Sequence, residues 1–540
     1  MTGAGRMAVG ACLAAWTAAI SAVAPAPARA GSGLGDYVKA ARLLYAWRFE
    51  DAERAISALA RTAPDAPETR YLQAELAFLR GDYERAARRL DGLPDDAAFG
   101  NVGPLRALVA STIEATAGFA RYESPSGRFV IHYPPGKDEV IVDLAAEVLD
   151  RAYDAIGDDL GYEPPTPVRV EILSRASDLA KVSTLTESEI DTTGTIALCK
   201  YNKLMIVTPR ATVFGYSWMD TLAHEYTHYV VSRASYDTVP VWLQEGLARF
   251  EQSRWRSPPT DTLSPVEENL LASALASGRL IEFDAMHPSM AKLPSAEAAA
   301  LAFAEVYTMV TFLHERVGYD GLRRILARQR DGASARRAVT EVTGLGRFSK
   351  VESAWRRYLR KRKLSRRPDL TGHTGRARIR KGDPEAPDGD TDNLGVDRVR
   401  DAKARNFARL GGILRARHMP KAAAIEYEKA LAIAGDDPFI AGKLARTYLE
   451  LDDADRAAEL AAPLVDLDPT DAGPATTLGA AHLRAGRPGP AAEAFERALR
   501  IQPFDPTVRC GLAQAYRALG DVGRAERERR ACDTLTRTPR

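Results

Sequence analysis

The sequence lacks an excess of charge of either sign. Its 540 residues contain 74 Lys and Arg against 72 Asp and Glu, a formal net charge of +2. Arg6 and Arg29 fall in the leader described below, so the remainder has 74 − 2 = 72 basic and 72 acidic residues. Without a dominant charge, nothing global points to nucleic acid, and we expect no nucleic-acid partner.

The sequence also lacks long apolar runs after residue 24. A basic start, an apolar run over residues 7–24 and a small-x-small site at residues 28–30 follow the order of a Sec-type signal peptide. We therefore expect residues 1–30 to be removed and the protein to be exported, to the periplasm or outside a bacterial cell. The alternative is a membrane anchor, for which the run is short. We expect no other transmembrane segment.

Cysteine is scarce, with four residues in the chain, one of them in the predicted leader. Export would permit a disulfide between Cys510 and Cys532, whose separation along the chain suits a helix hairpin. Spacing alone leaves that pairing open. Cys199 then stays single. Because no motif surrounds it, we expect a small buried side chain rather than a nucleophile.

Alanine recurs at a constant spacing in the last quarter of the chain, at Ala423, Ala457, Ala491 and Ala525. Twelve residues before each stands a second small residue, at Gly411, Ala445, Gly479 and Ala513. Small residues at fixed helical positions allow paired helices to approach closely. With this period and the closing prolines Pro469 and Pro503, residues 399–540 resemble tetratricopeptide repeats.

The same period occurs once near the start of the chain. It separates Phe49-Glu-Asp-Ala52 from Tyr83-Glu-Arg-Ala86, so residues 31–118 are predicted to be similar helical repeats. Two repeats are marginally stable by themselves, and we expect this unit to pack on its neighbour. An alanine-rich coiled coil, the alternative for the C-terminal region, is disfavoured by breaks at residues 435–438 and 487–490.

Residues 119–364 follow a different pattern. Short β-rich runs at 129–133, 168–173 and 203–207 are separated by helical stretches, and the second half reads as helix and loop. Strands followed by helices indicate an α+β domain. A segment rich in Pro, Gly and Asp, residues 365–398, is predicted to link this domain to the C-terminal repeats.

The stretch Thr-Leu-Ala-His-Glu-Tyr-Thr-His-Tyr-Val at residues 221–230 contains two of the eight histidines. On a helix, His224 and His228 lie one turn apart on one face, where both imidazoles can reach one tetrahedral ion. Glu225 is rotated by about 100° from His224. Its carboxylate would lie beside the ion, in the place of a general base.

A catalytic zinc ion usually takes three protein ligands and keeps one position for water. The metzincin extension fails here, because Val231 and Ala234 occupy its Gly and His positions. The next candidate lies in Val239-Pro-Val-Trp-Leu-Gln-Glu-Gly-Leu-Ala248, where the proline fits the first turn of a new helix. Glu245 would lie about one turn into it. The small Gly246 would let that helix pack closely and present Glu245 to both histidines.

The pair H-E-x-x-H and W-L-x-E-G-x-A resembles the gluzincin metallopeptidases, specifically the peptidase MA-like proteins that often carry tetratricopeptide repeats. The resemblance implies an α+β zincin-like domain flanked by all-α repeats. It implies one Zn²⁺ per chain, held by His224, His228 and Glu245, with Glu225 as the general base.

Two further residues have alternative interpretations. In related gluzincins a tyrosine downstream of the third ligand stabilises the oxyanion, and the resemblance gives this role to Tyr307; the alternative is a core aromatic residue. Ser217 and Asp220 form an S-x-x-D pattern, typical of a capping box that would start a helix at Trp218. Asp220 would otherwise orient an imidazole, and we favour the cap.

Aminopeptidases of this clan carry a G-x-M-E-N stretch whose glutamate holds the substrate amine. The corresponding residues 194–199 here contain no acidic side chain, which disfavours exopeptidase action. An edge strand there would still hold an extended peptide. We therefore predict an exported zinc-dependent metalloendopeptidase whose repeats bind a protein partner or substrate. The alternative is a catalytically inactive repeat scaffold of the cell envelope.

Overall fold

The computed structural model describes residues 32–256, 263–287, 289–290, 293–367, 396–467 and 471–537. The predicted leader and most of the predicted linker lie outside the described residues. Within them, the protein is helix-rich with a small mixed sheet. The helices before the sheet are α1 (Ser32–Tyr45), α2 (Phe49–Thr62), α3 (Pro67–Leu79), α4 (Tyr83–Leu90) and α5 (Val102–Ala115).

The sheet has the strand order β1-β2-β3-β5-β4. Its strands are β1 (Ala120–Glu123), β2 (Phe129–Tyr133), β3 (Val168–Leu173), β4 (Ala197–Lys200) and β5 (Lys203–Val207). The central strands β2, β3 and β5 are parallel and match the three predicted runs. The edge strands β1 and β4 are antiparallel to their neighbours. Because both are short and only partly buried, they lack the continuous apolar signal of the central strands.

One face of the sheet is joined to the N-terminal helices by a buried charged cluster. The ammonium of Lys203 lies 2.8 Å from the carboxylate of Glu171 and donates a 2.6 Å hydrogen bond to the hydroxyl of Tyr83 on α4. Burial acts to raise the pKa of Glu171, but Lys203 and Arg169 outweigh it and lower that pKa to about 2. Loss of one partner would leave a buried charge uncompensated, so the cluster fixes α4 on the sheet.

Helices cover the other face of the sheet and extend beyond it. They are α6 (Glu139–Leu160), α9 (Trp218–Ser235), α10 (Val241–Glu251), α11 (Pro265–Ser277), α12 (Ala296–Arg330), α13 (Ala335–Thr343) and α14 (Phe348–Lys361). The short helices α7 (Asp178–Val182) and α8 (Glu187–Thr193) lie instead on the face of the N-terminal helices, where Leu179 and Ile190 pack in one cluster with Leu173. Helix α9 contacts α6, β4 and β5, and it also contacts α10 and α12. It therefore lies in the middle of the domain.

Helix α12 is long and apolar enough to cross a membrane, contrary to the expectation that no stretch after the leader is. Of its most apolar stretch, 61% is buried inside the protein, and its backbone is non-helical at Gly318. The apolar length of α12 is therefore explained by its place in the core.

The C-terminal helices form consecutive antiparallel pairs. They are α15 (Ala402–Ala416), α16 (Pro420–Ala434), α17 (Pro438–Glu450), α18 (Ala454–Val465), α19 (Ala472–Arg484), α20 (Pro488–Leu499), α21 (Pro506–Ala518) and α22 (Val522–Thr536). A Cβ atom on Gly411 would lie 2.9 Å from the ring of Tyr427, and one on Gly479 would lie 2.7 Å from the ring of Phe495. The repeated small positions thus make room for an aromatic ring of the paired helix.

The last pair is closed by a disulfide. Cys510 of α21 and Cys532 of α22 are bonded, with their Cα atoms 5.1 Å apart. This settles in the structure a pairing that the sequence left open. Cys199 is a free cysteine, partly exposed on β4.

Both repeat units pack on helix α9, one at each end. At its start, the indole of Trp218 donates a 3.1 Å hydrogen bond to the carbonyl of Leu499, in the C-terminal repeats. Near its end, the buried guanidinium of Arg233 contacts the N-terminal repeats, with a 2.6 Å ion pair to Glu50 and a 2.9 Å bond to the carbonyl of Trp47. The repeats are therefore part of the packing of the central domain.

Gly215 offers a test of the C-terminal contact. It has a φ of +76°, and a Cβ there would overlap the backbone carbonyl of Ile501. We expect Gly215→Ala to lower the free energy of unfolding by about 2–5 kcal/mol, from left-handed strain and the overlap together. Chemical denaturation measures this.

The matched control is Gly278→Ala. Gly278 has a similar φ of +68° with nothing within 4 Å of the added Cβ, so strain alone should cost about 1–2 kcal/mol. Equal losses in the two variants would contradict a tight contact at Ile501.

Candidate metal centre

Helix α9 begins at Trp218, as predicted, but the predicted capping box is wrong. The side chain of Ser217 makes no capping hydrogen bond. The carboxylate of Asp220 instead accepts 2.9 Å hydrogen bonds from the indole of Trp255 and the guanidinium of Arg256. A charged and an aromatic donor from the segment after α10 thus take the place of the backbone N–H, and they tie α9 to the end of α10.

The structure brings the three predicted ligands together. The Nε2 atoms of His224 and His228 are 3.1 Å apart. The Oε2 atom of Glu245 lies 3.3 Å from Nε2 of His224 and 3.5 Å from Nε2 of His228. Among the described residues, these three form the one group of His, Cys, Asp or Glu side chains arranged to hold a metal ion.

The triangle has the size that a tetrahedral metal site requires. Ligand atoms at about 2.05 Å from a tetrahedral ion are about 3.3 Å from one another, which matches the three distances above. The side chains of His224, His228 and Glu245 are 14, 15 and 23% exposed to solvent, respectively. The group therefore fits one zinc ion with access from solvent.

The charges of the group favour a cation at the same point. Burial acts to lower the pKa of His228, but the carboxylates of Glu245 and Glu225 raise it to about 9. Burial acts to raise the pKa of Glu245, but both histidines hold it well below its ordinary value. A positive charge between these side chains is thus stabilised, whether a proton or a metal ion supplies it.

Glu225 is placed differently from the ligands. It is 7% exposed and its carboxylate accepts a backbone hydrogen bond from Cys199 on β4. Burial raises its pKa, with a further contribution from Glu245, while His228, His224 and the Cys199 N–H act in the opposite direction. A buried carboxyl group beside two imidazoles, held by a fixed N–H, is suited to accept and return a proton.

Gln244 is a site residue that the sequence did not reveal. Its Oε1 atom is 3.2 Å from Nδ1 of His228, and its amide donates a 3.2 Å hydrogen bond to Ser232. A neutral His228 that donates from Nδ1 to this oxygen keeps the lone pair on Nε2 for a metal ion. The signal available in the sequence was its place directly before Glu245.

Two features of α10 aim Glu245 at the histidines. Pro240 is the residue before the helix rather than part of its first turn, and α10 runs from Val241. Gly246 faces α12, where a Cβ would lie 2.7 Å from Val310. The absence of a side chain at residue 246 lets α10 lie close to α12 while Glu245 points to α9.

The remaining predicted site residue, Tyr307, lies on α12. It is buried, with its ring 4.8 Å from the guanidinium of Arg249 and 6.4 Å from the ring of Phe250. Because Arg249 follows Glu245 by one turn, Tyr307 lies on the Glu245 side of α10. These contacts serve packing, and the oxyanion role of Tyr307 stays a prediction.

Strand β4 lies at the edge of the sheet next to α9. It contains the residues that replace the amine-binding stretch of aminopeptidases. Its Cys199 N–H is directed to Glu225, so the strand runs past the proposed base. Its pairing with β5 occupies one of its two edges.

Family models match two parts of the chain. The model of the Peptidase MA superfamily matches residues 151–361. A tetratricopeptide repeat model matches residues 37–98, 442–506 and 476–532. None of the curated proteins compared with the chain matches it.

Several solved structures are similar to about a quarter of the chain. Crystalline MamA is 22% identical, over 23% of this chain and 74% of that chain, with a TM-score of 0.22. A thermophilic tetratricopeptide repeat protein from Thermus thermophilus is 26% identical. The match covers 25% of this chain and 74% of that chain, with a TM-score of 0.23. The Sgt2 tetratricopeptide repeat domain from Aspergillus fumigatus is 23% identical. The match covers 23% of this chain and 83% of that chain, with a TM-score of 0.22.

Tetratricopeptide repeats are interaction modules that offer extended surfaces to other proteins. The suspected combination of a peptidase-like domain with such repeats is confirmed by the two family models. The chain therefore carries a domain of the Peptidase MA superfamily together with tetratricopeptide repeats.

Proposed function

We propose that the protein is an exported zinc-dependent metalloendopeptidase. The observation that carries the proposal is the triangle of His224, His228 and Glu245 with Glu225 beside it. Export is supported by the leader pattern and by the disulfide between Cys510 and Cys532, a bond typical of oxidising compartments.

In this proposal His224, His228 and Glu245 hold the zinc ion. When bound, the ion would act as a Lewis acid on the peptide carbonyl and lower the pKa of a water molecule. Glu225 takes a proton from the water molecule as the oxygen of that water bonds to the carbonyl carbon. It returns a proton to the nitrogen as the carbon–nitrogen bond breaks.

Within the described residues, β4 is the last strand of the sheet, and its outer edge supplies a place for an extended substrate. A peptide added to this strand would run beside Glu225, because the N–H of Cys199 already reaches that carboxylate. The absence of an acidic side chain in residues 194–199 leaves nothing in this stretch to hold a free amine. These two observations support endopeptidase rather than exopeptidase action in this proposal.

Replacement of the proposed base tests the reaction. We expect Glu225→Gln to reduce kcat/KM on a fluorescently labelled unfolded protein by about 10²–10⁴-fold, the usual contribution of general base catalysis. Bound zinc, measured by elemental analysis, should stay near one per chain. The control is Glu305→Gln. It changes a buried glutamate on α12, a different helix, and should keep full activity.

Undiminished cleavage by Glu225→Gln would refute the base assignment. A wild-type protein that holds zinc and cleaves no unfolded protein would support the inactive repeat scaffold instead.

The position of Gln244 predicts an effect on metal affinity. Gln244→Ala should weaken zinc binding by about 10–100-fold, because His228 loses the acceptor that fixes its tautomer. Competition with a chelator measures the affinity. Gln252→Ala, just past the end of the same helix, is the control, and equal affinities in the two variants would contradict the role of Gln244.

The His228 and Glu245 pair predicts a pH dependence in the zinc-free protein. The pKa of His228 is raised from 6.5 to about 9, so the protonated pair stabilises the fold fully below about pH 6.5. The stabilisation by protonated His228 beside the Glu245 carboxylate is lost as the pH rises to about 9 and His228 loses its proton. We expect the Tm of the zinc-free wild type to fall over this interval relative to Glu245→Gln, and parallel Tm curves would contradict the pairing.

A further inference from the structure

The first helix of the C-terminal repeats exposes two large aliphatic side chains. Leu410 and Ile413 on α15 are 42% and 44% exposed. The residues one period after them, Leu444 and Thr447 on α17, are buried. Three periods on, Leu512 and Ala515 on α21 are buried as well. The exposed pair thus occupies positions that later repeats use for packing.

A helix covers these positions in the later repeats. Helix α17 is contacted by α16, the second helix of the preceding repeat, and α18 and α20 cover α19 and α21 in the same way. Among the described residues, α15 has no such helix before it, and its N-terminal neighbour is the short turn Val396–Arg398. The face of α15 that contains Leu410 and Ile413 is therefore shaped to receive one more helix.

The other end of the repeat array is closed. Helix α22 lies against α6 through an ion pair of 3.3 Å between Arg527 and Glu147. Terminal repeats need a polar or covered outer face. Apart from Val522 in its first turn, which is 77% exposed, helix α22 meets this requirement, and α15 with its exposed Leu410 and Ile413 does not.

Charge indicates what kind of helix fits. Residues 402–419 contain five Lys or Arg and no Asp or Glu. Lys403 and Arg417 are exposed on this helix and the turn after it, whereas Arg409 already forms a 2.7 Å ion pair with Asp397. A second copy of the chain on the same face would bring like charges together, which costs several kcal/mol. An acidic partner is attracted instead.

The size of residue 413 adds a steric requirement. Its equivalents Thr447, Ala481 and Ala515 are smaller and fully buried. With isoleucine at this position, the covering helix needs a small residue opposite it to reach the usual interaxial distance.

We infer that α15 is a docking site for an acidic amphipathic helix of another protein. The partner helix adds to the repeat array in the place of a preceding second helix. Its apolar residues cover Leu410, a small residue lies over Ile413, and its acidic rim faces Lys403 and Arg417. This site is separate from the proposed metal centre.

A synthetic helix tests the inference on the full chain. The probe is a fluorescent peptide of three Glu-Ala-Leu-Ala-Ala-Leu-Glu heptads, and its partner probe has Lys in place of every Glu. Binding is measured by fluorescence anisotropy. The protein carries Glu225→Gln so that it does not cleave the probe. We expect the acidic peptide to bind at least about tenfold more tightly than the basic one, with affinity that falls as salt rises.

Two variants locate the site. Leu410→Glu and Ile413→Glu should each weaken binding of the acidic peptide by about tenfold or more, since each removes apolar contact area and adds a like charge. The control is Ile425→Glu on α16, where residue 425 is 51% exposed and later repeats have Glu459 and Glu493. It should leave binding unchanged, and all three variants should keep the wild-type Tm.

Three outcomes would overturn the inference. One is equal affinity for the acidic and basic peptides. Another is an equal loss of binding in Ile425→Glu and Ile413→Glu. The third is a wild-type dimer in light scattering that Ile413→Glu converts to a monomer, because a second copy would then cover the face.

Discussion

The candidate centre depends on the way α9 is held at both of its ends. The indole of Trp218 is bonded to the carbonyl of Leu499 at one end, and the buried guanidinium of Arg233 pairs with Glu50 near the other. His224 and His228 lie between these anchors. A metal site needs ligand atoms fixed to a fraction of an ångström, and a helix fixed at two points, against the sheet, meets that need.

The two repeat units therefore do more than offer surfaces to partners. The N-terminal unit is joined to the sheet through the buried cluster of Tyr83, Glu171 and Lys203, and the last C-terminal repeats contact the start of α9. The free end of the C-terminal array is the opposite one, at α15. An array that is packed on the domain at one end and open at the other can bind a partner without disturbing the centre.

Local patterns predicted a large part of this structure. Continuous apolar runs predicted β2, β3 and β5, and the constant spacing of small residues predicted the repeats. They missed β1, because a short edge strand buries too little to leave a continuous run. The edge strand β4 was expected only through the comparison with the amine-binding stretch of aminopeptidases. The S-x-x-D pattern misled about Asp220, since a capping motif is read from neighbours in sequence whereas its partners Trp255 and Arg256 come from another element.

The sequence by itself determined the spacing of His224 and His228 and the presence of a glutamate beside them, because helical periodicity is a local property. It also pointed to Glu245 through the motif around it. Only the tertiary structure decided that Glu245 lies 3.3 and 3.5 Å from the two imidazoles and that Gln244 orients His228. Those distances depend on how α10 packs against α9 and α12, which contacts remote in sequence determine.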